Sequence, residues 1–452
     1  MEIKDSIFKA YDIRGIYPTE LNEEIMYAIG QAFVEIEKPK TVVVGRDVRI
    51  SGPSMQKALI QGLLDSGVDV VDIGLISTEE IYFATAYYKY DAGISVTASH
   101  NPREYTGMKM VRRGAEPIAG EEITVRLKNK AKELLGKKVS AKKKGKLSTK
   151  DIHEDFRKFV LGFIDTKKIK SFKVVANPNF GFQGELVKLV CRDLPITWSF
   201  LNGEPDGNFP KGRPDPFLEE NRTEFIEKIK KERPDFGVTW DADADRVFFA
   251  TGSGLFLEAY YTNVLLIEEM LHKNPKATVV YDPRYTWALV ETIKEFGGTP
   301  LRCRVGHSFI KKAMRESNAV FSGESSGHTY FRDFFFADSG IIPFLLMLEF
   351  LSQEKKSLEA CILPLIEKYP ISGEINLTLK DAKNALFVVQ KSYANKGKVE
   401  EFDNVIVEKK GEWRFNIRMS NTEPLLRINI EATNKALVEE RRSELLSLLK
   451  DL

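Results

Sequence analysis

Hydrophobic and polar positions along the chain repeat with two alternating periods. Short β-branched runs, such as residues 41–45 and 173–177, alternate with stretches that predict helices, such as 23–37, 216–231 and 259–272. This alternation is typical of parallel or mixed sheets covered by helices. It continues to about residue 322 and predicts three α/β units of roughly 100 residues each.

The last quarter of the chain has a different pattern. Trp413, Phe415 and Ile417 alternate with polar residues, which is the period of a half-buried antiparallel strand. Further strands at 374–379, 404–409 and 425–432 and a final helix indicate an α+β domain. The predicted fold is therefore three similar α/β domains with mixed sheets plus a C-terminal α+β domain. The expected boundaries are 1–148, 149–252, 253–368 and 369–452.

Composition and charge narrow the class of protein. The 43% hydrophobic content supports a substantial core, and 67 basic against 65 acidic residues argue against a nucleic-acid protein held by bulk charge. The lysine-rich stretch 137–150 carries no interleaved aromatic residues, so a solvated interdomain segment is favoured over a nucleic-acid or membrane contact. The apolar stretch 340–351 contains Pro343 and Glu349, is too short to span a bilayer, and reads as a core helix.

Cysteine usage and the first residues favour a cytoplasmic protein without membrane partners. Cys191, Cys303 and Cys361 are far apart and show no paired spacing, which indicates neither a disulfide framework nor a zinc site. Residues 1–10 are charged and lack the apolar run of a signal peptide.

A polar loop at residues 97–102 follows a predicted buried strand. Its sequence is TASHNP. Ligands bind at the carboxyl ends of strands in open α/β sheets, and Ser99 could carry a phosphoryl group there as a covalent intermediate. A turn with a capping serine or asparagine is the competing interpretation.

A second loop places Asp241, Asp243 and Asp245 at alternate positions after another strand. The mutual repulsion of three carboxylates requires a cation, and an all-oxygen ligand set favours Mg²⁺ or a similar hard metal. An EF-hand is excluded, because its sixth and twelfth positions would be Arg246 and Gly252. Arg246 could face a phosphate beside the metal.

Two further loops offer binding groups. Residues 323–328, GESSGH, place a carboxylate and hydroxyls between glycines, which suits the hydroxyls of a sugar, although a tight turn would explain them too. Arg418 and Arg427 flank hydroxyl and backbone donors that could cradle a phosphate, against the alternative of a hairpin with solvated arginines. The chain contains no G-x-x-x-x-G-K-[ST] and no G-x-G-x-x-G after a strand, so an ATP-using kinase or a nicotinamide enzyme lacks its signature.

The four loops, in this order, resemble the signature loops of the α-D-phosphohexomutase superfamily. The segments YDIRG at 11–15, GRD at 45–47 and GHSFIK at 306–311 are also similar to family segments. The likeness extends from about residue 8 to the C-terminus and is strongest to the bacterial phosphomannomutase branch, notably at PDGNFP, residues 205–210.

The resemblance implies a fold, a reaction and a set of site residues. It implies four domains in a heart shape around a central cleft, with Ser99 as the phosphoserine and Mg²⁺ bound by Asp241, Asp243, Asp245 and the Ser99 phosphate. Residues implied to bind sugar are Glu324, Ser326 and His328, and those implied to bind phosphate are Arg14, Arg418, Ser420, Asn421, Thr422 and Arg427. Residues implied to line the reacting centre are His100, Lys109, Arg246 and His307, among which Lys109 and His307 are the candidates for general acid and base.

The implied activity interconverts mannose 6-phosphate and mannose 1-phosphate, with hexose 1,6-bisphosphate as intermediate and activator. Small hexose phosphates are the expected partners, and a monomer or homodimer is expected. The alternatives are a phosphoglucomutase or dual-specificity enzyme with the same mechanism, the same chemistry on glucosamine 6-phosphate, and a metal-dependent sugar phosphatase. The family commonly has glycine where this chain has Ala242 and Ala244, and a methyl group fits there if neither residue needs a positive φ.

Overall fold

The computed structural model of the protein describes residues 2–137, 141–379, 381–419 and 425–450. The strands are β1 (Ile13–Ile16), β2 (Thr41–Arg46), β3 (Asp69–Leu75), β4 (Ala92–Val96), β5 (Tyr105–Arg112), β6 (Glu116–Pro117), β7 (Leu147–Thr149), β8 (Phe172–Asn177), β9 (Ile196–Phe200), β10 (Phe236–Trp240), β11 (Val247–Thr251), β12 (Thr278–Tyr281), β13 (Thr299–Arg302), β14 (Phe321–Gly323), β15 (Thr329–Phe331), β16 (Ala337–Asp338), β17 (Ile371–Thr378), β18 (Lys398–Glu401), β19 (Val405–Lys409), β20 (Trp413–Met419) and β21 (Leu425–Ala432).

Helices alternate with these strands along the first three quarters of the chain. The α-helices are α1 (Glu23–Glu37), α2 (Gly52–Asp65), α3 (Thr78–Tyr87), α4 (Lys128–Leu134), α5 (His153–Leu161), α6 (Gln183–Val190), α7 (Thr223–Glu232), α8 (Ala259–Lys273), α9 (Trp287–Glu295), α10 (His307–Ser317), α11 (Ile341–Glu354), α12 (Leu358–Lys368), α13 (Ala382–Tyr393) and α14 (Lys435–Leu449). A π-helical segment, Glu122–Leu127, leads into α4. None of the helices in the described ranges combines the length and hydrophobicity needed to cross a membrane.

The chain divides into two compact units. The first comprises Met1–Phe256 and His328–Gln353, and the second comprises Leu257–Gly327 and Glu354–Leu452.

The first unit contains two α/β sheets. One has the strand order β1-β5-β4-β2-β3-β7, in which β4, β2, β3 and β7 are parallel and β5 runs antiparallel to its two neighbours, β4 and β1. The other has the order β11-β10-β8-β9, with only β11 antiparallel. Strands β4 and β10 therefore each end at the carboxyl edge of a mainly parallel sheet, and each is followed by one of the predicted polar loops.

The segment His328–Gln353 packs within the first unit. The side chain of Phe344 on α11 lies 6.0 Å from the Trp240 ring, and Trp240 Nε1 donates to Gly340 O over 2.8 Å. Aromatic contacts from Phe334 to Phe156 and Phe159 join this segment to α5. Helix α11 is buried over most of its length, as the apolar stretch at 340–351 predicts.

The second unit contains the parallel strands β13-β12-β14 and an antiparallel sheet in the order β17-β21-β20-β19-β18. The predicted half-buried β20 is wrong in one respect, because Arg414 and Asn416 are buried as well as the apolar residues. Arg414 pairs with Glu431 over 3.1 Å and donates to Arg284 O, while Glu431 accepts from the backbone of Thr286 and Trp287. An ionic network therefore covers the face that the sequence pattern assigns to solvent.

Other predicted elements differ in detail. The helix predicted from residue 216 begins at Thr223, because Arg213 to Arg222 form turns that tie Asn221 to Arg213 O and Asp215 O. Strand β7 falls inside the lysine-rich stretch and pairs with β3. The overall fold class is confirmed, with α/β sheets followed by an antiparallel C-terminal sheet.

Helices α1 and α2 cross at a contact that requires glycine. A Cβ added at Gly62 would lie 2.4 Å from Tyr27 O. We expect Gly62→Ala to destabilise the first unit by roughly 1–3 kcal/mol, although alanine normally favours a helix over glycine. Thermal unfolding of the variant measures this effect.

Gly162 provides the matched control. It is exposed, has a helical φ of −65°, and its added Cβ would approach only backbone oxygens of the preceding turn, at 3.1 Å or more. Gly162→Ala should leave the unfolding temperature unchanged or raise it. An equal effect of both substitutions would show that the α1–α2 contact tolerates a methyl group.

Candidate active site

Ser99 lies in the loop that follows β4 and is 1% exposed. Its Oγ is 3.2 Å from Asp241 Oδ2 and 3.1 Å from Nδ1 of His100. The residue has a φ of +50°, the left-handed region that few non-glycine residues adopt. The hydroxyl is thus presented to a carboxylate and an imidazole by an unusual backbone conformation.

The three aspartates occupy the connection between the antiparallel strands β10 and β11. All three are buried, and one oxygen from each lies within 4.8 Å of the others. The loop contains Ala244 with a φ of +58°, so one of the two alanines does require the left-handed conformation that suits glycine. Its methyl group costs the loop roughly 1–2 kcal/mol of backbone strain.

Lys109 is the cation that faces this cluster. It lies on β5 opposite Ser95 of β4, and its Nζ is 2.7 Å from Asp243 Oδ2 and 2.5 Å from Asp245 Oδ2. Burial disfavours the ammonium, yet the two carboxylates prevail and raise the pKa of Lys109. The two carboxylates therefore favour the ammonium form of Lys109, which donates a hydrogen bond to each of them.

The carboxylates themselves are unequal. Burial, followed by the charges of Asp245 and Asp243, raises the pKa of Asp241. Asp245 is also buried, but Lys109 and His328 lower its pKa well below the ordinary value. Three carboxylates in a dry site thus need more positive charge than Lys109 alone supplies.

The donor set fits a hard divalent metal ion. Asp243 Oδ1 and Asp245 Oδ1 are buried and have no hydrogen-bond partner within the described part of the chain. Buried carboxylate oxygens are rarely left unsatisfied. Asp241, Asp243 and Asp245 could therefore hold a metal ion next to Ser99 Oγ.

Arginines surround the serine loop on its other side. Arg14 donates to Asn101 Oδ1 over 2.7 Å and is held by Asp12, while Arg246 Nε is a buried donor without a partner among the described residues. Burial, then the charges of Arg246, Arg14 and Arg213, lowers the pKa of His100. A neutral imidazole beside Ser99, within a cluster of cations, is an environment suited to a phosphoryl group.

Three polar residues that the sequence did not single out support this site. Thr78, at the start of α3, donates its hydroxyl to Asp243 Oδ2 over 2.6 Å and its N–H to Asp243 O over 2.9 Å. Asp215 lies 3.8 Å from Arg246 Nη1, and Arg213 donates to His100 O over 3.2 Å. Only α3 has a sequence signal, the capping box formed by Ser77 and Glu80, and that signal marks the helix start but not its contact with Asp243.

His328 is placed in the first unit, with Nε2 3.5 Å from Asp245 Oδ2. The structure thus brings this candidate sugar-binding residue to the carboxylate cluster. His307 is the first residue of α10 in the second unit.

The second unit gathers the candidate residues of the third loop. Glu324 directly follows β14 and is buried, with Oε1 3.3 Å from Arg284 Nη2. Asp282 holds the same guanidinium through Nε and Nη2, over 3.0 Å and 2.6 Å. Ser326 lies in the turn that follows Glu324.

Arg418 and Arg427 are cross-strand partners on β20 and β21. Both lie near Glu374, at 3.1 Å and 3.4 Å, and the Nε of Arg418 is buried without a partner among the described residues. Burial, then the nearby cation Arg284, lowers the pKa of Arg418. Two arginines that share the carboxylate of Glu374 form a candidate site for an anion. The other candidates of this loop, Ser420, Asn421 and Thr422, lie outside the described residues.

Comparison with known proteins identifies the family of these loops. Four family models match in order, described as phosphoglucomutase/phosphomannomutase alpha/beta/alpha domains I, II and III and the C-terminal domain, over residues 5–134, 154–254, 259–369 and 374–448. The chain belongs to the phosphoglucomutase/phosphomannomutase family. It is an enzyme of the phosphohexomutase class, which transfers phosphate within a sugar.

Relatives match this chain over almost its full length. A protein of Xanthomonas campestris pv. campestris (strain B100) named phosphohexose mutases is 42% identical over 447 residues, 98% of this chain and 99% of the relative. A phosphomannomutase of Escherichia coli (strain K12) is 40% identical, over 99% of this chain and 100% of the relative. The crystal structure of a phosphoglucomutase/phosphomannomutase family protein from Burkholderia thailandensis has a TM-score of 0.87 and 31% identity, over 99% of this chain and 98% of that chain.

Removing one carboxylate should weaken metal binding. In Asp243→Asn one charge of the buried triplet is lost, so we expect Mg²⁺ affinity to fall by at least roughly tenfold. Calorimetric titration measures it. Asp235→Asn is the control, because Asp235 is remote from the triplet and its Oδ2 accepts from the backbone N–H of Lys173. Equal affinity in wild-type and Asp243→Asn protein would remove Asp243 from the metal site.

Glu79, next to Thr78, makes stability depend on pH. Burial raises the pKa of Glu79 to about 8, although hydrogen bonds from Ser339 and from the backbone N–H of Ile341 lower the pKa in part. Between the ordinary glutamate value, 4.5, and about 8, the folded state retains a proton that the unfolded state releases. Stability from this group is therefore present below the ordinary value and is lost as pH rises toward 8.

Glu79→Gln should remove that dependence. We expect the difference in unfolding free energy between variant and wild type to change by up to about 1.4 kcal/mol per pH unit in this window, in favour of the variant at higher pH. Urea unfolding at pH 5, 6, 7 and 8 measures the slope. Parallel curves for the two proteins would contradict a protonated Glu79.

Proposed function

We propose that this enzyme interconverts mannose 6-phosphate and mannose 1-phosphate through a phosphoserine at Ser99. The observation that supports this reaction is the contact of 3.2 Å between Ser99 Oγ and Asp241 Oδ2. Asp241 belongs to a buried carboxylate triplet in which two oxygens have no hydrogen-bond partner within the described ranges. The preference for mannose rests on relatives, since several proteins about 40% identical to this chain are named phosphomannomutase.

The proposed step transfers the phosphoryl group of phospho-Ser99 to the free C1 or C6 oxygen of a hexose monophosphate. The Oγ–P bond breaks as the new O–P bond forms, the proton of the sugar hydroxyl passes to a base, and Ser99 Oγ takes up a proton from an acid to become the free hydroxyl. The product is a hexose 1,6-bisphosphate, whose other phosphate then returns to Ser99. Mg²⁺ at Asp241, Asp243, Asp245 and the Ser99 phosphate would supply charge neutralisation of the phosphoryl oxygens.

Residues of the first unit would stabilise the transferring group. Arg14 and Arg246 would pair with phosphoryl oxygens, and the Lys109 ammonium would donate toward the same charge. His100 and His307 are the remaining candidates for proton transfer. The carboxylates that face Lys109 raise its pKa despite burial, so its ammonium suits charge stabilisation better than proton transfer, which leaves the base to a histidine or carboxylate.

Residues of the second unit would bind the rest of the substrate. Glu324, Ser326 and His328 are the candidates to hold sugar hydroxyls. The phosphate that does not react would be bound by the fourth signature loop, comprising Arg418, Ser420, Asn421, Thr422 and Arg427. The Nε of Arg418, which is buried and has no partner among the described residues, supports this role.

The proposal assigns one role to each of four segments. The phosphoserine loop belongs to 1–148, the metal loop to 149–252, the sugar loop to 253–368 and the phosphate loop to 369–452. A hexose 1,6-bisphosphate would act as activator by rephosphorylating Ser99. The near balance of 67 basic and 65 acidic residues supports small-molecule partners, and we place the enzyme in the cytoplasm as a monomer or homodimer.

Two alternatives share the site and are separated by product analysis. A phosphoglucomutase would have the higher kcat/KM for glucose 1-phosphate, whereas a metal-dependent phosphatase would release inorganic phosphate instead of an isomer. Parallel assays of isomer and free phosphate with mannose 1-phosphate and glucose 1-phosphate distinguish all three. We expect isomers from both sugars with mannose preferred.

The substitution Ser99→Ala tests whether Ser99 carries the phosphoryl group. We expect mutase activity to fall below roughly one part in a thousand, more than the loss of general acid–base help alone would cause on average. Ser95→Ala is the matched control, because Ser95 is buried on the preceding strand and its Oγ has no partner among the described residues. Substantial activity in Ser99→Ala would exclude Ser99 as the phosphoryl carrier.

A further inference from the structure

The left-handed conformation of Ser99 has to be held by its surroundings. A serine adopts a φ of +50° only where neighbouring groups over-determine it. The backbone groups of Ser99 are fixed on both sides by residues from the end of β2 and the start of the loop itself.

The carbonyl side is held by Arg49. Its Nη2 donates to Ser99 O and Asn101 O, each over 2.6 Å, and its Nη1 donates to Pro102 O and Tyr105 O over 2.7 Å and 3.1 Å. The remaining donor, Nε, bonds to Asp47 Oδ2 over 3.2 Å. All five guanidinium N–H groups are thus used within the protein, so none is left for a substrate.

The amide side is held by Thr97. Ser99 N donates to Thr97 Oγ1 over 2.9 Å, and that hydroxyl in turn donates to Asp47 Oδ2 over 2.7 Å. Asp47 also accepts from the backbone N–H of Arg49 over 3.0 Å. One buried carboxylate therefore anchors the groups that fix the two sides of the serine.

The network is buried, and its arginine packs against an aromatic ring. Arg49 is 1% and Asp47 is 2% exposed, and the guanidinium carbon lies 5.0 Å from the centre of the Phe209 ring. Charge-assisted hydrogen bonds in a water-excluded site are strong and directional. Such bonds suit a loop that must retain one conformation while its serine gains and loses a phosphoryl group.

We propose that Asp47, Arg49 and Thr97 are positioning residues that hold Ser99 Oγ in the geometry for phosphoryl transfer by fixing both backbone groups of the serine. The inference rests on the proposed role of Ser99 as carrier. Transfer rates are sensitive to displacements of about 1 Å, which change them by roughly 100-fold. We call these three residues the Ser99 clamp. Removing a hydrogen bond of the clamp should therefore slow phosphoryl transfer without altering how sugar phosphate or metal is bound.

Two pairs of variants test the clamp. Thr97→Val removes the hydroxyl while keeping the shape, and Thr97→Ser restores it. Arg49→Lys keeps the charge but has three donors in place of five. Arg112→Lys is its control, because Arg112 is a part-buried arginine paired with Glu37 and Glu122 away from the serine loop.

The readout is the single-turnover rate at which glucose 1,6-bisphosphate phosphorylates Ser99, followed by intact-protein mass.

We expect Thr97→Val and Arg49→Lys to slow phosphorylation roughly 10- to 100-fold, as one or more buried hydrogen bonds are lost. Thr97→Ser and Arg112→Lys should react at the wild-type rate. The KM for sugar phosphate and the Mg²⁺ affinity should be unchanged. The Mg²⁺ affinity has to be measured in each variant, because Thr97 Oγ1 also lies 3.3 Å from Asp243 Oδ2.

Wild-type rates in the folded variants would overturn the clamp, and so would a parallel loss of Mg²⁺ affinity, which would assign these residues to the metal site. If Arg49→Lys does not fold, the Thr97 pair decides alone. Wild-type protein that never gains phosphate on Ser99 would refute the proposed function itself, a result distinct from failure of the clamp.

Discussion

The site depends on placing three aspartates in a buried loop, where their charges repel and water does not screen them. Lys109 faces two of them, Thr78 donates to one, and two of their oxygens have no hydrogen-bond partner in the part of the chain that the structure describes. Carboxylates so arranged are stable only with a cation among them. The carboxylate oxygens of this loop could bind a metal ion and, through that ion, a phosphoryl group. We therefore regard the electrostatic balance around Asp241, Asp243 and Asp245 as the constraint that the rest of the first unit serves.

The fold meets this constraint by bringing strand ends together. Ser99 follows β4, the aspartates follow β10, and Lys109 extends from β5, so three elements of the first unit contribute one group each. The helix α3 adds a fourth contact, because its first residue donates to Asp243 through both backbone and side chain. Short loops anchored at strand ends hold these groups more accurately than free loops could, which suits a reaction controlled by position and charge.

Much of this arrangement is predictable from sequence because the informative residues are local. Alternating strands and helices indicate the α/β units, and Ser99 and the aspartates each stand directly after an apolar run. The supporting contacts are long-range and carry no local pattern. Arg49 reaches four carbonyls of the serine loop, and Arg414 pairs with Glu431 on the neighbouring strand while donating to Arg284 O. Such pairings depend on tertiary packing. The sequence pattern of β20 therefore predicts a half-buried strand, although an ion pair buries its polar face in the structure. The positive φ of Ala244 cannot be predicted from the sequence either, because an alanine does not indicate a left-handed backbone conformation.

The most direct test of the account follows phosphate itself. Enzyme phosphorylated at Ser99 with radiolabelled hexose 1,6-bisphosphate, freed of excess sugar, is mixed with unlabelled mannose 1-phosphate and Mg²⁺ and quenched at short times. The account predicts that label leaves Ser99 and appears on the sugar, first as bisphosphate, at a rate no slower than steady-state turnover. Label that stays on the protein during turnover, or that appears only as inorganic phosphate, would contradict a phosphoserine that donates to the sugar.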